Sequence, residues 1–392
     1  MNYPTEKLGE YMSFSNGRTS PDRTDRGEFP VFGSNGVIGR TDISNAPRRT
    51  TVIGRVGTYC GSLHFAKNAS WVTDNAIKAV ATAEDEAQFW YYALISADLG
   101  RLRSGSGQPL INQRSLNAVE LPVPPREDRL AIGEILSALD DKIELNRRMN
   151  ETLEAMAQAI FRDWFVDFGP TRRKIDGATD PVEIMGGLVS DPERARELAD
   201  MFPAGLGDDG LPEGWEGGRL ENVLELAYGK SLTKSDRRDG PYPVYGSGGI
   251  GGWHDTALVR GPSIIVGRKG TVGSLYWEDR DFYPIDTVFF VKSRLPMTFC
   301  YYLLQTLGLE GMNTDAAVPG LNRSNAYRLN APIAPHAIIE AFDGLAGLWR
   351  KKIAANAVEI NTLAATRDLL LPKLMSGEVR LNAAEAVLDA AQ

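Results

Sequence analysis

A chain of 392 residues is long enough for two or three domains, and its 43% hydrophobic and 24% charged content is that of a soluble globular protein. The net charge of -8 argues against a uniformly basic nucleic-acid binder, and no apolar run reaches the ~18 residues of a membrane span. The opening Met1–Lys7 has no apolar core, so no signal peptide is expected and the chain is assigned to the cytoplasm. Cys60 and Cys300 lie far apart and read as reduced thiols, while His64, His254 and His336 are scattered without ligand spacing, so no metal site is expected.

The charge is uneven. Residues 121–213 hold 20 acidic and 11 basic side chains, whereas residues 1–120 and 214–330 each hold 13 basic and 12 acidic ones. The two large segments can therefore still present a local basic face.

In chain order, residues 1–125 read as a β-rich domain. Short apolar runs such as Thr50–Ile53 alternate with glycine turns, and one helix is expected near Glu86–Leu99. Its aromatic cluster Phe89–Tyr92 reads as core rather than as a base-stacking platform. After Leu121-Pro122-Val123-Pro124-Pro125 comes a long helix, residues 126–168. Its seam residues Ile132, Leu136, Leu139, Ile143, Asn146, Asn150, Leu153, Ala157, Ile160 and Trp164 step alternately by four and three, which is a heptad pattern. Such a helix is roughly 60 Å long and needs a partner to cover its stripe. Residues 169–213, rich in Gly, Asp and Pro, read as a linker with one short helix near Pro192–Met201.

The chain then repeats itself. Gly17-Arg18 matches Gly229-Lys230, and Pro30–Gly39 matches Pro243–Gly252. Val52-Ile53-Gly54-Arg55-Val56-Gly57-Thr58 matches Ile265-Val266-Gly267-Arg268-Lys269-Gly270-Thr271, and Asp74 matches Asp286. Pro109-Leu110-Ile111-Asn112 matches Pro319-Gly320-Leu321-Asn322. Residues 214–335 are thus a second β-rich domain, with its helix near Met297–Leu307, and 336–378 a second long helix. The first seam recurs there as Phe342, Ala346, Trp349, Ile353, Asn356, Ile360, Leu363, Leu370 and Leu374. Arg367 interrupts it, which predicts looser packing at that end. The helix should stop near Ser376-Gly377, leaving a tail at 379–392. The expected fold is α+β: two β-rich globular domains related by pseudo-two-fold symmetry, joined by two long antiparallel coiled-coil helices. Asn146 and Asn356 each sit at the middle of their helix, where full antiparallel overlap would bring them together as a register lock.

The glycine clusters at 33–39 and 246–252 lack G-x-G-x-x-G spacing and read as hairpin turns. Arg55 and Arg268 lie between glycines on turns expected to be exposed. They read either as solvated or as poised to reach a phosphate or a guanine edge. Asn112 and Asn322 contact adenine or phosphate, or cap the turn that enters the last strand. Methyl-transfer tetrapeptides, a Walker loop and His-Glu-x-x-His are absent, so no catalytic residues are assigned.

The chain resembles the DNA-specificity subunit of type I restriction–modification systems. The resemblance is carried by Leu121-Pro122-Val123-Pro124, by Ile160–Phe168 and by Leu370–Val379, together with the glycine turns. It implies a non-catalytic subunit in which each β-rich domain is a target-recognition domain for one half of a split, asymmetric site in double-stranded DNA. The helices space the half-sites and dock two methyltransferase subunits, and restriction subunits join them. S-adenosylmethionine, ATP and Mg belong to those partners, and no membrane is involved. The residues assigned to DNA are Arg18, Arg55, Thr58, Asn112, Lys230, Arg268, Lys269, Thr271, Asn322 and Arg323. Those assigned to partner docking are Trp164, Phe165, Phe168, Leu371 and Pro372. The alternatives are an orphan DNA-binding or decoy protein of the same fold, acting without methyltransferase partners, and a self-contained modification enzyme.

Overall fold

A computed structural model of the chain describes residues 3–104, 109–313 and 320–379. Pro319 and most of the tail, 380–392, lie outside the described residues. Two compact units emerge, one made of residues up to Arg147 together with those from Ala357 on, the other of Arg148–Asn356. Each therefore takes one β-rich domain and part of each long helix, so the units divide the helices that the sequence pattern reads as whole segments.

In the first unit a four-stranded antiparallel sheet runs in the order Met12–Asn16, Ala76–Ala81, Thr50–Gly54, Leu63–Ala66. Thr50–Gly54, buried at every position, is one of its two inner strands. A smaller sheet pairs Gly36–Thr41 with Phe29–Gly33, which Trp71–Val72 joins in parallel. Thr5–Lys7 pairs with Glu120–Pro122, tying the start of the domain to the entry of the first long helix. Ala87–Ser96 is the expected helix, and Phe89, Trp90 and Tyr92 are buried in the core, as read.

The second unit repeats this topology strand for strand. Its large sheet runs Glu225–Tyr228, Val288–Lys292, Ser263–Gly267, Leu275–Glu278. Its small sheet contains Gly249–His254, Tyr242–Gly246 and Tyr283–Pro284, and Glu216–Arg219 pairs with Asn330–Ile333. The glycine clusters are two-residue hairpin turns, closed by the Gly33–Gly36 and Gly246–Gly249 pairs, with Gly36 and Gly249 at positive φ.

The long helices span Arg126–Phe165 and His336–Ser376, and Gly377 in the left-handed region ends the second one where expected. They run antiparallel within each unit. In the first, Asp140 accepts from Arg367 at 2.6 Å and Lys142 pairs with Glu359 at 3.5 Å. In the second, Glu154 accepts from Arg350 at 3.0 Å, and Asn356 donates to Asn150 Oδ1 at 2.8 Å. The hydrogen-bond partner of Asn356 is therefore Asn150, four residues along the first helix from the position that midpoint symmetry selects. Asn146, in the first unit, is also buried.

Arg367 does not loosen the second helix. Its guanidinium meets an Asp140 carboxylate that also accepts from Tyr92 Oη at 2.6 Å. Burial opposes the charge on Arg367, but Asp140 and Asp368 outweigh it and hold the group protonated. Around this pair Leu363, Leu370, Leu371, Leu374 and Met375 are all buried with Ile132, Leu136, Leu139 and Ile143. A seam position read as a break is a satisfied polar contact within the seam.

Residues 169–213 hold more structure than the one short helix read near Pro192–Met201. They form three short helices, Gly169–Ile175, Pro181–Ile184 and Pro192–Asp200. Ile184, Met185, Ala195, Leu198 and Phe202 enter the core of the second unit beside the end of the first long helix. Arg173 fastens the first of these helices to Asp163 at 2.7 Å.

Candidate nucleic-acid interface

The candidate DNA-contacting residues are gathered by main-chain contacts at one end of each large sheet. In the first unit Gly17 passes so close to the Thr73 carbonyl that an added Cβ would lie 2.0 Å from it. Only glycine fits there. Arg18 follows, exposed, its N–H donating to Val72 O at 3.0 Å. Arg55 Nη1 donates to Asp74 O at 3.3 Å, and its carbonyl accepts from Ile111 N at 3.1 Å, which brings Asn112 alongside. Burial first, and the nearby Arg18 second, pull the Lys78 ammonium below its ordinary pKa.

The second unit rebuilds the same sequence of contacts. An added Cβ on Gly229 would lie 2.1 Å from Ile285 O, and exposed Lys230 follows it. Arg268 Nη1 donates to Asp286 O at 3.0 Å, and its carbonyl accepts from Leu321 N at 2.8 Å, which brings in Asn322 and Arg323.

Arg55 and Arg268 are half-buried and anchored to those carbonyls, not solvated on an exposed turn. The exposed members of the two turns that carry a side chain are Thr58, Lys269 and Thr271. Asn112 and Asn322 are helix N-caps. Asn112 Oδ1 accepts from Ser115 N at 2.9 Å, and Asn322 Oδ1 accepts from Ser324 N at 2.9 Å and Asn325 N at 3.2 Å. Their side-chain oxygens are thus engaged locally.

One residue of this face was not selected by comparing the repeats. Tyr228, 47% exposed at the end of its strand, lies under both Arg268 and Arg323, whose guanidinium carbons are 4.9 and 4.7 Å from its ring centroid.

Most of the residues assigned to partner docking are packed into the core of one or other unit. Trp164 is 0% exposed and packs on Phe202 at 5.2 Å, Phe165 and Leu371 are buried, and Phe168 is half-buried against Trp215 at 5.4 Å. Of the five only Pro372 is exposed. The folded 169–213 segment covers the aromatic end that the sequence leaves looking free. The exposed large apolar side chains of the long helices are instead Leu145, Met156, Leu348, Val358 and Leu369.

Among the described residues no group of three or more His, Cys, Asp or Glu could hold a metal ion, and no helix is long and apolar enough to cross a membrane. Two copies of one β-rich module, each with a cation-bearing end and each tied to both long helices, make this a duplicated protein of the specificity-subunit architecture.

Comparison with known proteins agrees. The sequence profile of the type I restriction modification DNA specificity domain matches residues 2–155 and again 212–324, so the chain belongs to that family. It is 28% identical over 362 residues to the HindI specificity subunit of Haemophilus influenzae, covering 74% of this chain and 77% of that one. It is 24% identical over 333 residues to the MjaIX specificity subunit of Methanocaldococcus jannaschii, covering 75% and 69%. The crystal structure of a type I restriction-modification S subunit from M. genitalium has the same fold, with a TM-score of 0.68 at 18% identity over 95% of this chain and 96% of that one.

Proposed function

We propose that this chain is the DNA-recognition subunit of a type I restriction–modification enzyme, each β-rich domain reading one half of a bipartite, asymmetric site. The observation that carries this reading is the double family match over two domains of identical topology whose cation-bearing ends differ in sequence. Two unlike domains in one chain read two unlike half-sites, so the bound sequence need not be a palindrome. Arg18, Arg55 and Thr58 in the first domain, and Lys230, Arg268, Lys269, Thr271 and Arg323 in the second, supply the phosphate and base contacts.

The chain performs no chemistry of its own. Methyltransferase subunits contribute S-adenosylmethionine, and restriction subunits contribute ATP and Mg. The long helices set the distance between half-sites and dock the methyltransferase subunits through exposed apolar positions such as Leu348, Val358 and Leu369, with Pro372 at the helix end. The test is domain exchange in the assembled enzyme. Replacing residues 1–125 by the first domain of another family member should change one half-site and leave the other intact, as read by mapping modified bases across the host genome. A change at both half-sites would refute the modular reading.

A further inference from the structure

The two domains differ most in chemistry around Tyr228. Strand register places Tyr228 opposite Phe289, and Asn16 opposite Ile77 at the same point of the first domain. By the repeat, Arg323 corresponds to Gln113, so of the three residues Tyr228, Arg268 and Arg323 only Arg268 has a like counterpart, Arg55. The second domain thus carries an exposed aromatic ring and an extra arginine where the first has two amides.

The arrangement is built for a ligand that supplies acceptors. Among the described residues neither Arg268 nor Arg323 has a carboxylate partner, yet both lie against one ring. The electron-rich ring face offsets only part of the cost of bringing two cations together. Each guanidinium is also held by one main-chain carbonyl, Arg268 by Asp286 at 3.0 Å and Arg323 by Leu226 at 3.5 Å. The ring itself packs on Phe289 at 5.0 Å. Tyr327 lies beneath Arg323 at 5.7 Å and accepts from Leu226 N at 2.8 Å. The forks are therefore fixed before a ligand arrives, and among the described residues each has one hydrogen-bonded carbonyl and N–H donors to spare. A fixed planar fork suits two acceptors on one base edge, whereas a phosphate can be held by a mobile cation such as Lys230 or Lys269.

We propose that Tyr228 is a specificity-determining positioning residue. By stacking Arg268 and Arg323 it sets their forks to read the paired acceptors of a guanine edge in the half-site of the second domain. This inference rests on the DNA-recognition reading above.

The experiment maps modified bases in host cells carrying the intact enzyme with wild-type chain, Tyr228→Ala or Tyr228→Phe. A wild-type chain that directs no modification to any bipartite site would overturn the recognition reading itself. Given a wild-type bipartite site, Tyr228→Ala should lower discrimination at one base pair about tenfold or more, on the scale of a lost bidentate arginine–base contact. The affected half-site should be the one that changes when residues 214–335 are exchanged. Tyr228→Phe keeps the stack and should retain wild-type specificity. Arg323→Gln, which places the amide of the first domain at this half-buried position, serves as the second variant should Tyr228→Ala fail to fold, and it should relax the same base pair. An unchanged motif in Tyr228→Ala and Arg323→Gln would refute the proposal. So would uniformly weaker modification with no change in sequence preference, which is the signature of a phosphate contact.

Discussion

In the first unit the end of the second long helix is closed by Leu370, Leu371, Leu374 and Met375. In the second unit the corresponding positions near the end of the first long helix are Ile160, Phe161, Trp164 and Phe165. The first set shares one core cluster with Phe89, Trp90 and Tyr92 of its own β-rich domain. The second packs on the aromatic helix of its own domain, with Phe161 at 5.6 Å from Phe299, and in addition receives Phe202 from the 169–213 segment. Among the described residues the first unit shows no counterpart of that segment. The same helical seam has thus been completed with aliphatic side chains in one place and with an aromatic cluster in the other, because the second must reach an extra layer. Aromatic side chains supply that reach through their large buried area and edge-to-face contacts.

The largest effect should come from breaking this difference. Trp164→Ala leaves a cavity among Phe165, Phe202 and Phe342 and should destabilise the second unit by about 4 kcal/mol, while Leu374→Ala should cost the first about 3 kcal/mol. Hydrogen exchange on the chain without partners resolves the two units, and each substitution should lower protection in its own. Normal protection in Trp164→Ala combined with lost partner binding would return Trp164 to a docking role.

A second difference is electrostatic. Phe32 and Ala66 of the first domain correspond to Tyr245 and Glu278 of the second. Glu278 is buried and accepts from Tyr245 Oη at 2.9 Å, from Arg280 Nε at 2.9 Å and from Arg280 N at 3.0 Å. Burial pushes its carboxyl upward, but the Arg280 and Tyr245 donors outweigh burial and hold it below its ordinary value. A carboxyl with a depressed folded pKa contributes stability above its unfolded pKa, near ~4.3, and loses it as pH falls through the folded value. Acidification below about pH 4 should therefore weaken the second unit through a group that the first lacks. Glu278→Gln should flatten that part of the pH dependence in urea unfolding. An unchanged acid limb would mean that the network contributes nothing to stability.

What the sequence discloses of this comparison follows from what the backbone demands. Gly17 and Gly229 recur because a Cβ cannot fit beside a carbonyl, and Gly36 and Gly249 recur because their turns need positive φ, so the duplication is legible in a single chain. The helical seam is legible because burial imposes a heptad period. Apolar periodicity is blind to polar partners, which is why Arg367 looks like a break until Asp140 and Tyr92 are placed beside it. Trp164 looks like a handle because nothing in the composition of 169–213 announces a packed layer. Tyr228 escapes for a deeper reason. Searching for a repeat selects what the halves share, whereas residues that make two domains read different sequences are the ones that diverge.

Asn112 and Asn322 test how far shared positions carry function at all. Both are exposed and both cap a five-residue helix, but Asn322 Oδ1 receives two N–H groups where Asn112 Oδ1 receives one. Asn322→Ala should cost the second unit about 1 kcal/mol, and Asn112→Ala less in the first. Aspartate keeps the cap, since its carboxylate accepts the same N–H groups, but it removes the side-chain amide donor and adds a negative charge. Asn322→Asp should therefore restore stability yet reduce modification at the half-site of the second domain, because a carboxylate on that face repels phosphate. Wild-type modification by Asn322→Asp would confine this residue to capping and leave DNA contact to the exposed and arginine side chains around it.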